Sequence, residues 1–166
     1  MASVSERVRA MDEFQVVRCF EAFSQQLIAG SRTPLDTMKK GVPASIRSLT
    51  EWQRVENLTP KQAEQALEPT QAAETARNIL MKLADDPTFS PLLDRFLTSY
   101  RDDELVADII MAVGLVASMI LMIASTEAEG EIAGVKFKKH KVDPAMIKAL
   151  FEPFAKSLVG QIKKSP

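Results

Sequence analysis

Cysteine and histidine each occur once in this 166-residue chain, at Cys19 and His140. A single cysteine excludes an internal disulfide framework and suits a reducing compartment. One His and one Cys so far apart do not make a metal site at ligand spacing, and the acids form no repeated motif. His140 is the sole candidate imidazole base. It stands among Lys136, Lys138, Lys139 and Lys141, whose repulsion favours the neutral ring, and no nucleophile motif accompanies it. We expect it to be a surface residue of a basic strand, and Cys19 to be a buried structural thiol. The six glycines, at 30, 41, 114, 130, 134 and 160, never cluster as a phosphate-cradling loop. The pairs Asp85-Asp86 and Asp102-Asp103 fall at expected helix boundaries, where capping and the helix dipole account for them. Catalytic, cofactor-binding and metal-ligating residues are therefore assigned to none, and a non-enzymatic role is expected.

Aromatic residues are also scarce, with one Trp and one Tyr, whereas Met occurs eight times. Methionine supplies a pliable core or a pliable contact surface. The first residues contain no apolar stretch of signal-peptide type, so a cytoplasmic location is expected. At 46% hydrophobic and 26% charged residues, the composition is that of a globular protein long enough to build its own core. Charge is polarised along the chain. Residues 1–130 carry 13 Lys or Arg against 19 Asp or Glu, whereas residues 131–166 carry 8 Lys against 3 acids. An acidic body with a basic end suits an acidic partner, an anionic surface, or the body of a second copy.

Proline marks the elements. Thr33-Pro34, Thr59-Pro60, Ser90-Pro91 and Asp143-Pro144 each place a capping residue before a proline at the first helical position. Gln62, three residues after Thr59, completes a capping box, and Asp36 after Thr33 is a shorter variant. The first helix is expected from Ser5 to Ala29, stopped by Gly30. Its apolar stripe is Val4, Val8, Met11, Val16, Phe20, Phe23 and Leu27, widened by Phe14, Val17 and Ile28. Shorter helices follow Thr33 and Pro43. Residues 60–67 form another, Glu68-Pro69 interrupts, and a longer helix runs to Ala84. Asp86-Pro87 then breaks the chain ahead of a helix over 91–100.

Residues 109–126 contain no charge at all. Such a run is either a membrane span or a deeply buried core segment. A span over 105–126 matches the hydrocarbon thickness, Gly114 and Ser118 form a small-xxx-small pair, and Met119 and Met122 lie in the same run. Acidic flanks on both sides, the lack of an aromatic belt beyond Tyr100 and the content of Ala, Gly and Ser favour the core. Within the run, 105–117 can continue a helix, and Ser118–Thr126, short and rich in Ile and Met, can equally continue that helix or form a strand, the strand being taken for the fold. Glu127–Gly130 is a turn, and Glu131–Val142 is a second strand in which Val135 and Phe137 alternate with lysines. Asp143-Pro144 opens a final amphipathic helix that Pro153 kinks or divides.

The fold expected is mainly α: a multi-helix single domain over 1–166 with a small antiparallel β-hairpin near the C-terminus. The helical body spans 1–117, the hairpin 118–142 and the C-terminal helix 143–164. The surface candidate is the basic patch Lys136, Phe137, Lys138, Lys139 and Lys141. One aromatic and no arginine make it a weak nucleic-acid platform, and lysines that keep an edge strand from aggregating explain it as well. The functional expectation is a protein–protein interaction or assembly subunit, an adaptor, structural or regulatory protein that self-associates and takes no cofactor. The alternatives are a membrane-inserting protein using 105–126, with Gly114, Ser118, Met119 and Met122 as the assembly segment, and an electrostatic nucleic-acid binder.

Overall fold

The computed structural model describes residues 3–31, 33, 35–49, 52–53, 56–57, 59–99, 113–125, 129–132, 135–138, 145 and 149. They are mainly helical, with a two-stranded antiparallel sheet near the C-terminus. The helix expected over 5–29 is divided into α1 (Val4–Arg9) and α2 (Glu13–Gly30). The cause is a capping box overlooked in the sequence. Asp12 Oδ1 accepts the Gln15 backbone N–H at 2.7 Å, and Gln15 Oε1 accepts the Asp12 N–H at 3.0 Å. Each side chain satisfies a donor that an uninterrupted helix would have used internally, so a new helix begins at Glu13.

The short helices α3 (Leu35–Lys40), α4 (Ala44–Arg47) and α5 (Pro60–Glu64) follow, with buried Trp52 in a helical turn between α4 and α5. The Thr59–Gln62 box forms as expected, with both reciprocal bonds in place. The long helix α6 (Pro69–Asp85) opens with Pro69 at its first position, and Glu68 gives it no side-chain cap. The break expected at Asp86-Pro87 is present, since α6 ends at Asp85, and it also forms the lead-in to α7 (Ser90–Ser99). Asp86 Oδ1 accepts the N–H groups of Thr88 at 2.7 Å and Phe89 at 3.4 Å, and the Asp86 carbonyl accepts the Ser90 N–H at 2.8 Å. Asp86-Pro87 thus repeats the cap-then-proline pattern four residues upstream of Ser90-Pro91.

Helix α6 packs along α2, with α1 and α7 against its flanks. Phe23 of α2 meets Phe96 of α7 in a tilted ring contact at 5.3 Å. Arg77 of α6 closes the end of α1: its guanidinium donates to the carbonyls of Val8 at 2.9 Å, Arg9 at 3.2 Å and Met11 at 2.7 Å. Those carbonyls lie where a terminating helix runs out of intrahelical donors. The uncharged run contributes α8 (Val113–Ala124), which packs against α2, α3 and α5. Val113, Val116, Met119, Ile120, Met122 and Ile123 are buried and belong to one apolar core with residues of α1, α2, α6 and α7.

The strand expected over 118–126 is therefore helix through Ala124. A segment buried on almost every side shows no polar face, and without one the helical period is not visible in its sequence. The hairpin forms farther along, from β1 (Glu129–Ile132) and β2 (Val135–Lys138), paired Glu129 to Lys138 and Ile132 to Val135. It rests on the C-terminal end of α2. Gly130 forms a backbone bridge with Ser31, and Thr33 Oγ1 accepts the Glu129 N–H at 2.9 Å. A Cβ on Gly130 would stand 2.8 Å from Ser31 Cα, so only glycine permits this approach. The final helix expected from Asp143-Pro144, with its proline kink, lies outside the described residues, apart from exposed helical positions at Ala145 and Ala149.

Candidate interaction surfaces

Three sets of residues stand out as possible surfaces: the hairpin lysines, the uncharged run and the outward face of α2. In the hairpin, side chains alternate between two faces, as the pleat requires. Lys136 and Lys138 are exposed, whereas Phe137 is 7% exposed and packs on Phe89 with ring centroids 6.1 Å apart. Phe137 is thus packed into the core, on the face of the strand opposite Lys136 and Lys138. The register sets Lys138 opposite Glu129 and Lys136 opposite Glu131. Each described lysine of the patch therefore has a carboxylate as its cross-strand neighbour, and the field of the strand is offset locally. A depression of about 300 Å³ here is lined by Glu129, Gly130, Lys136, Phe137 and Lys138 and carries both signs of charge. Lys139, His140 and Lys141 lie outside the described residues.

The small-xxx-small pair in the uncharged run is used within the chain. A Cβ on Gly114 would meet the Ala63 Cβ at 3.0 Å and the Ala63 carbonyl oxygen at 3.1 Å, so Gly114 is where α8 approaches α5. Val113 N–H also donates to the Gln65 carbonyl at 2.8 Å. Ser118 Oγ donates to the Gly114 carbonyl one turn earlier at 2.9 Å, and Met119 and Met122 are buried. Among the described residues, no helix is long and apolar enough to cross a membrane, and no group of three or more His, Cys, Asp or Glu stands close enough to hold a metal ion. Cys19 is buried in α2, as expected.

The outward face of α2 was not singled out in the sequence as a site. Phe14 is 57% exposed and Ile28 is 39% exposed, the two exposed large hydrophobic side chains among the described residues. Val17, which widens the apolar stripe alongside them, is buried. At about 100° per residue, Phe14, Arg18, Glu21, Gln25 and Ile28 lie within about 40° of one line along the helix. That line is opposite the core-facing Val16, Phe20, Phe23 and Leu27. The Arg18 guanidinium lies 5.4 Å from the centre of the Phe14 ring and covers part of it. Glu21, midway along the line, is half-buried, and this burial pushes its carboxyl above the ordinary value of 4.5. Gln25 is exposed. The signal in the sequence was the heptad spacing of positions 14, 21 and 28, which the broader core stripe obscured.

In comparisons with known proteins, no family model, curated protein or solved structure matches the chain.

Proposed function

We propose that this protein is a non-enzymatic, self-associating assembly subunit whose contact surface is the outward face of α2, and that it works in the cytoplasm. The observation that carries the reading is the placement of Phe14 and Ile28 on solvent. The chain has ample means to bury apolar side chains, and it takes the described part of the uncharged run, α8, into its own core. It nevertheless leaves a Phe and an Ile on one line of its longest described helix. The two stand about 21 Å apart along one line of the helix, with Arg18, Glu21 and Gln25 between them, and we take them as two separate apolar anchor points for a partner. The half-buried Arg18 and Glu21 give that face polar groups able to set orientation. The hairpin supports a nucleic-acid reading less well, because its described lysines face carboxylates across the sheet.

The test is the solution mass as a function of concentration, measured by light scattering for the wild type and for the double variant Phe14→Glu, Ile28→Glu. The expected result is a wild-type mass that rises above 18.4 kDa with concentration and a double variant that stays at it. A wild type that remains monomeric throughout, or a double variant that assembles as well as the wild type, overturns the reading.

A further inference from the structure

We draw no further inference here: the strongest candidate, the cationic surface cluster of Lys39, Lys40 and Arg47 where α3 gives way to α4, is accounted for by the end of α3, whose last turn holds the two lysines and whose Lys39 carbonyl accepts from the Arg47 guanidinium, and nothing among the described residues shows what would cover it.

Discussion

Arg77 shows how much one side chain can settle. Its planar fork reaches three carbonyls near the end of α1 from a helix almost seventy residues away, so it fixes where α1 stops and how α1 sits on α6. Hydrogen bonds to a charged donor contribute more than neutral ones, and carbonyls left unpaired in a half-buried place are costly. Arg77→Ala is expected to destabilise the fold by about 2–4 kcal/mol, and Arg77→Lys to recover only part, because an ammonium cannot fork across three acceptors. Equilibrium urea unfolding of the two variants checks this. By contrast, the ion pair of Arg7 with Asp94, at 3.2 Å and well exposed, contributes little. Arg77 was not legible in the sequence. Nothing local to position 77 signals partners at 8, 9 and 11, and only the packing of α6 on α1 brings them together.

At the scale of elements, short-range chemistry was the legible part. Thr59 and Gln62 were read correctly because the box lies within four residues and depends on nothing else. Asp12 and Gln15 obey the same rule, and Asp86-Pro87 repeats the cap-then-proline pattern. They were missed because an apolar stripe running on past Asp12 and a proline taken for a simple break outweighed them. The uncharged run was the harder case. Its burial was favoured and helix was expected through Ala117, but the helix over 118–124 was not, since Ile-rich segments suit strands and a helix enclosed by α2, α3 and α5 has no polar face to reveal its period. Because α8 lies inside the core, Ile120→Ala is expected to cost about 2–5 kcal/mol, the range for a deleted core side chain that leaves a cavity. Thermal unfolding followed by circular dichroism measures the loss. A shift within error of zero would place Ile120 outside a packed core.

For the molecule as a whole, the mainly helical class and the late hairpin could be read from the sequence, but the surface could not. The basic patch was a pattern in one dimension. Folding turned Phe137 inward against Phe89 and set Glu129 and Glu131 across from the two described lysines. The face of α2 went the other way: Phe14 and Ile28 looked like two more members of a core stripe until the packing of α6 and α8 left them outside. Periodicity tells which residues share a side of a helix, but neighbours decide whether that side is covered.

The seating of the hairpin on α2 joins positions separated by 96 residues, between Thr33 and Glu129. Strands of four residues have little stability alone, so this pair gains its strength from the platform it lands on. That platform is the end of α2 together with Phe89, and closing so long a loop is unfavourable until they are in place. The hairpin is thus expected to lock only after the end of α2 and Phe89 are in place. Phe137→Ala is expected to accelerate unfolding in stopped-flow denaturant jumps while leaving the refolding rate nearly unchanged. Seen this way, the sheet acts as a clasp in time as well as in space, recording that the helices beneath it have finished assembling.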